Sequence, residues 1–177
     1  DNSLSAGDTA TLTFTLSETS FSFFEYDVSV TGGSLSNWNA VSNTVYTATF
    51  TPDTNSTADG VIHVANDKFF DLSSNNNKDE KDDNNTVSFT IDTVRPTIAI
   101  TDDDPDNSLS AGDTATLTFT LSEASTNFIE SAVSVTGGSL SNWSPVSNTV
   151  YTATFTPDTN STTDGVIHIA NDKFSDA

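Results

Sequence analysis

Residues 1–72 recur as residues 106–177, offset by 105 positions, with 60 of 72 aligned positions identical and no insertion or deletion. That period is longer than a solenoid repeat and matches one small all-β domain, so a core must close within about one hundred residues, and do so twice. A near-identical second copy adds reach or avidity rather than a new chemistry. Six of the twelve differences fall at 19–27, where TSFSFFEYD faces ASTNFIESA. The window reads either as a surface loop or as a repeat-specific contact, in which Phe21, Phe24 and Tyr26 give way to Thr126, Ile129 and Ser131.

Hydrophobic residues alternate with period two, and a helical period is absent. Ala10, Leu12, Phe14 and Leu16 interleave with Thr9, Thr11, Thr13 and Thr15, which describes a strand with one dry and one wet face. Further strands are expected at Val28–Val30, near Leu35–Trp38, at Val45–Phe50, in the VIHVA run after Gly60, at Val87–Ile91 and at Ile98–Ile100. Seven short strands per period predict tandem immunoglobulin-like antiparallel β-sandwiches, arranged end to end. The predicted core includes Leu12, Phe14, Leu16, Tyr46, Phe50, Ile62 and Val64. Arg95-Pro96 sets the domain boundary, because proline ends a ladder and holds the preceding residue extended. Residues 1–94 then form a repeat without its first strand, and residues 95–177 a repeat without its last. The chain reads as an excerpt of a longer array, in which a neighbouring segment can fill an unpaired edge.

Composition removes several function classes. Five Lys and Arg stand against 25 Asp and Glu, a net charge of −20, which repels nucleic acid and anionic lipid. There is no cysteine and no methionine, and two histidines, His63 and His168, occupy one repeat position, so thiol catalysis, disulfides and soft-metal sites are not expected. No serine sits in a nucleophile elbow, and the chain does not read as an enzyme. No apolar run is long enough to insert in a membrane. Trp38 and Trp143 read as core residues, and Lys68 and Lys173 as exposed ones.

The carboxylates suggest calcium. Residues 102–113, DDDPDNSLSAGD, place Asp102, Asp104, Asp106, Ser108, Ser110 and Asp113 at the alternate spacing by which a loop wraps oxygens around Ca²⁺. Asn107 stands where such loops place glycine and tolerates the left-handed conformation. An ordinary Asp/Asn-rich turn fits the same residues. In a sandwich of this strand order, Asp53, Asp59 and Asp92 share one pole. Asp67 and Asp71, with their equivalents Asp172 and Asp176, share the other.

The strings SAGDTATLTFTLSE, VSVTGGSLSNW, YTATFTPDTNSTTDGVIHIANDKFSDA and DTVRPTIAIT resemble the bacterial Ig-like repeats of very large adhesins exported by type I secretion, which often end in RTX-type Ca²⁺-binding nonapeptides. The resemblance implies an extracellular stalk module at a bacterial cell surface, with calcium between or beside domains and neighbouring repeats of the same chain as partners. The last hairpin of such repeats usually reads D-A-A-G-N, whereas this chain has Asp71-Leu72-Ser73-Ser74-Asn75 and then an Asn/Asp-rich stretch to Asn85. By analogy with cadherins, Ala65-Asn66-Asp67 compares with their A-x-D stretch. Two other readings stand beside the stalk. A module binding glycans or a protein ligand needs residues 21–26 exposed and clustered with Trp38; a filament or surface-layer subunit needs strands donated by other copies.

Overall fold

The computed structural model describes residues 2–78 and 83–176, so positions 79–82 of the Asn/Asp-rich stretch lie outside the described residues. The chain divides into two compact units, Asp1–Val94 and Arg95–Ala177. Unit 1 contains β1 (Ser3–Ser5), β2 (Ala10–Thr15), β3 (Val28–Thr31), β4 (Gly33–Ala40), β5 (Val45–Pro52), β6 (Gly60–Val64) and β7 (Thr86–Asp92). Unit 2 contains β8 (Ile98–Asp102), β9 (Ala115–Leu121), β10 (Val133–Thr136), β11 (Gly138–Pro145), β12 (Val150–Pro157) and β13 (Val166–Ile169). In unit 1 the sheets run β1-β7-β6-β3 and β2-β5-β4; in unit 2 they run β11-β12-β9-β8 and β10-β13. Each unit is an all-β immunoglobulin-like sandwich.

The alternation acts as expected where both sheets are complete. Leu12, Tyr46, Phe50 and Ile62 are buried, and with Phe89 and Ile91 they form the unit 1 core. Phe14, Leu16 and Val64 are half-buried, although their alternation marks them as interior. The equivalent Phe119 and Leu121 are fully buried in unit 2, where β8 lies alongside β9. Unit 1 has no strand in that place among the described residues, and its β2 is an edge.

Two features correct the expected pattern. The pairing is not wholly antiparallel, because β1 runs parallel to β7 with Ser3 opposite Thr90 and Ser5 opposite Asp92. The same octet, DNSLSAGD, forms β1 in unit 1 and no strand at 106–113 in unit 2. A three-residue strand has too few bonds to persist without a partner, and β7 has no counterpart among the described residues of unit 2.

The loop at 19–27 is also more than surface. Phe23 within it is buried and meets Phe14, Trp38, Tyr46 and Phe69 at centroid distances of 4.9–5.7 Å. Phe128 plugs unit 2 in the same way against Phe119, Trp143, Tyr151 and Phe174. Edge-on aromatic packing of this kind adds to the burial of each ring. The Tyr46 hydroxyl donates to the Ser20 carbonyl at 2.9 Å, and Tyr151 to that of Ser125 at 3.1 Å, which ties the loop to the opposite sheet.

Candidate functional site

The Asp-rich run leaving β8 is built as a chain of turns. Asp102 Oδ1 accepts the Asp104 N–H, Asp104 Oδ2 accepts that of Ser108, and Asp113 Oδ2 accepts that of Ser110. Asp103 Oδ1 accepts the Thr116 N–H at 2.6 Å, which, together with the Thr116 hydroxyl, holds its carboxyl below the ordinary value of 3.8. Asn107 adopts the left-handed conformation, φ 52°, as its position requires. Asp106 is exposed. Asp102, Asp104, Asp106 and Asp113 do not bring three carboxylate oxygens within 4.8 Å of one another. Their spacing serves the backbone first, since an Asp side chain naturally caps an N–H two to four residues on.

At one pole of unit 1 the 53–59 loop is joined to the end of β7 through Thr93. The buried Thr93 hydroxyl donates to the Asp53 carbonyl at 2.7 Å, and its N–H reaches the Ser56 carbonyl. The side chains of Asp53, Asp59 and Asp92 at this pole are exposed. Asp92 Oδ1 accepts the Val94 N–H.

The opposite pole carries the hairpin at 65–77. Asn77 anchors it, accepting the N–H groups of Lys68 and Phe69 at Oδ1 and donating to the Ala65 carbonyl. Asp67, with φ 62°, accepts the Asn76 side-chain amide. The departure from the usual hairpin sequence is accommodated by Asp71, whose carboxylate accepts the N–H groups of Ser73 and Asn75 and the Asn75 side chain, all at 2.8 Å. Ser74 takes the left-handed place of glycine, φ 66°. The Asn75 side chain, then the Asn75 and Ser73 backbone, hold the Asp71 carboxyl below 3.8.

The Glu18 side chain lies beside Asp71 and acts on its carboxyl in the same direction. The equivalent residues in unit 2, Glu123 and Asp176, place carboxylate oxygens within 4.8 Å of each other, both half-buried. The same acidic pair thus recurs at the same pole of both units. Two carboxylates this close repel one another, and a cation placed between them would relieve that repulsion. Sequence spacing missed Glu18 and Glu123, because they lie 53 residues from their partners and only the fold joins them. The repetition of both members at a constant offset was the available signal. Asp172 pairs with Arg95 at 3.0 Å in an exposed ion pair, a contact of small energetic weight.

The variable loop shares the pole with this hairpin. Ser22 Oγ accepts the Phe70 N–H at 2.9 Å, and in unit 2 Asn127 Oδ1 accepts the Ser175 N–H at 3.0 Å, so the two exchanged positions change together. Phe21, Phe24 and Tyr26 are exposed, with Phe24 and Tyr26 stacked at 5.3 Å. Trp38 is packed with Phe23 in the core and joins no platform. His63 is bonded to Thr86 Oγ1 on the strand face.

The family model of the bacterial Ig-like domain matches residues 1–88 and again residues 92–177. No curated protein and no solved structure matches the chain. Two successive matches over nearly all of the sequence, on two sandwiches that share five equivalent strands in the same arrangement, place the chain in the bacterial Ig-like domain family.

Proposed function

We propose that this pair of domains is an extender in a bacterial surface adhesin or filament, a non-catalytic module that spaces and carries tension and is stiffened by calcium. Bacterial Ig-like domains are typically extracellular surface modules. No helix among the described residues is long and apolar enough to cross a membrane. The observation that carries the mechanical part of the reading is the parallel pairing of β1 with β7. These strands lie near the two ends of unit 1, so tension applied through the ends runs along both strands. It loads their hydrogen bonds together in shear, whereas an antiparallel terminal pair would open one bond at a time. The Thr90 N–H to Asn2 carbonyl bond, 2.8 Å, extends this clamp.

The calcium part rests on donor chemistry. Glu18 with Asp71, and Glu123 with Asp176, offer hard carboxylate oxygens of the kind Ca²⁺ takes. Asp67, Asp172, Asp53, Asp59 and Asp92 stand at the two poles as additional acids. Asp102, Asp104 and Asp113 commit one oxygen each to the backbone. The partners on this reading are neighbouring repeats of the same chain.

Single-molecule stretching tests the extender. Two discrete unfolding events are expected, each lengthening the chain by roughly 300 Å, with unit 1 giving a resolved force peak because its β1–β7 pair is loaded in shear. Unfolding of unit 1 without a resolved force peak would contradict the mechanical role. A ligand-binding reading draws on the exposed Phe24–Tyr26 stack, which unit 2 lacks; saturable glycan binding lost on Tyr26→Ala would favour it.

A further inference from the structure

Four Asn-x-Ser/Thr triplets occur in the chain, beginning at Asn55, Asn84, Asn142 and Asn160, and the fold treats them differently. An enzyme that modifies such a triplet must reach two groups at once, the asparagine amide that takes the sugar and the hydroxyl two residues on that identifies it. Both groups therefore have to be uncommitted and outside a ladder. Two triplets fail that requirement. Asn142 donates its amide to the Thr154 hydroxyl at 3.2 Å, Trp143 packs half-buried against the core, and Ser144 is held opposite Thr152 in the β11–β12 ladder. At Asn84 the hydroxyl is the engaged group: Thr86 opens β7 opposite His63, and its Oγ1 is bonded to His63 Nδ1 at 2.9 Å and to Asn85 Oδ1 at 3.2 Å.

Asn55 differs on every count. Its loop lies between β5 and β6, and Asn55 and Thr57 are both exposed. The loop is fixed all the same. The Ser56 N–H donates to the Thr93 hydroxyl at 2.9 Å, the Ser56 carbonyl accepts the Thr93 N–H, and Ser56 Oγ accepts the Ala58 N–H at 3.1 Å. These bonds use the middle residue of the triplet and leave the first and third, whose side chains make no hydrogen bond among the described residues. Asn55 sits at φ 55°, a conformation its short amide side chain tolerates. The turn thus accounts for Asn55 and the cap for Ser56, while the Thr57 hydroxyl has no such use. Asn160 and Thr162 carry the same triplet in unit 2, both exposed, with Asn160 at φ 54°.

We infer that Asn55 and Asn160 are acceptor sites for N-linked glycosylation, taking a hexose from a diphosphate-activated donor. In the transfer the Asn55 Nδ2 bonds to the anomeric carbon of the sugar. The C–O bond to the diphosphate breaks, the diphosphate departs with the electron pair, and the amide gives up one proton. The product is a bulky, neutral, hydrophilic group on the loop that carries Asp53 and Asp59. Hydrating that surface is a capacity separate from carrying tension and from binding calcium.

The test is incubation of the folded chain with a sequon-specific N-glucosyltransferase and UDP-glucose, read by intact mass and peptide mapping. Short peptides carrying each triplet, run in parallel, give the rate at which the enzyme takes that triplet without the fold. In the folded chain one hexose is expected on Asn55 and one on Asn160, whereas Asn84 and Asn142 stay unmodified relative to their peptides. Thr57→Val removes the identifying hydroxyl from an exposed position that holds no contact, so transfer to Asn55 should fall on the order of tenfold or more, as for a site built around a hydroxyl it no longer finds. Transfer to Asn160 in the same molecule and the melting temperature should not change, and Thr57→Ser should restore the reaction. An Asn55 left unmodified in the folded chain while its peptide reacts, Asn84 modified as readily as Asn55, or undiminished transfer in Thr57→Val would overturn the inference.

Discussion

Phe50→Ala is expected to destabilise unit 1 by about 3–5 kcal/mol, the range for deleting a fully buried aromatic ring. Phe50 has no exposed surface and stacks on Phe89 at 5.4 Å with planes 10° apart. The walls around it cannot close. Cβ atoms placed on Gly33 and Gly60 would fall 2.5–2.7 Å from the Phe50 ring, so its nearest neighbours are glycines with no side chain to swing into the void. A cavity that stays open puts the cost toward the upper end of the range. Because a domain of this size is stabilised by only about 5–15 kcal/mol, the loss should split denaturation into two transitions, unit 1 first. Calorimetric scans of Phe50→Ala beside Phe155→Ala provide the check. Phe155 is 5% exposed and has no stacking partner equivalent to Phe89 among the described residues, so its truncation should cost less.

Gly137→Ala should cost about 2–4 kcal/mol, from two contributions that a second variant separates. Gly137 has φ 71°, and an added Cβ would stand 2.8 Å from the Asp164 carbonyl carbon and 3.0 Å from the Gly165 nitrogen. Both obstacles are backbone, so no rotamer change relieves them. Gly112 also has positive φ, 93°, yet a Cβ there meets nothing within 4 Å. Gly112→Ala therefore carries only the conformational cost of about 1–2 kcal/mol. Denaturant midpoints of the two variants should differ by the steric remainder; equal midpoints would mean that the TGG turn moves freely, contrary to its packing against the 164–165 backbone.

Strand positions were legible because Thr and Ser alternate with Leu, Phe and Val, and that pattern records which face is dry whatever the neighbours are. How deeply each dry residue is buried was not legible. Phe14 and Phe119 sit in identical local sequences and differ in exposure because β8 covers one and no strand among the described residues covers the other. The same holds for β1, whose octet is a strand only where β7 is present. Phe23 was hidden because its neighbours vary, and a variable loop reads as surface even when one invariant ring in it plugs the core. The aspartates at 102–113 were ambiguous in principle. Capping a turn and coordinating a cation both call for short carboxylates at close spacing, and only coordinates show the oxygens pointing at N–H groups. The Glu18–Asp71 pair joins residues 53 apart and needed the fold.

Calcium-dependent melting tests the calcium-stiffened extender most directly. The chain's −20 charge gives the folded state a self-repulsion that any salt relieves, so calcium must be compared with magnesium and sodium at matched ionic strength. An ion bound only by the native state stabilises by mass action, about 2.7 kcal/mol at one hundred times its dissociation constant. The account predicts higher melting temperatures in millimolar calcium than in chelator, with the calcium-specific gain lost in Glu18→Gln plus Glu123→Gln and the calcium-free melt little changed. Identical melting in calcium and chelator, or an equal gain from sodium, would contradict it.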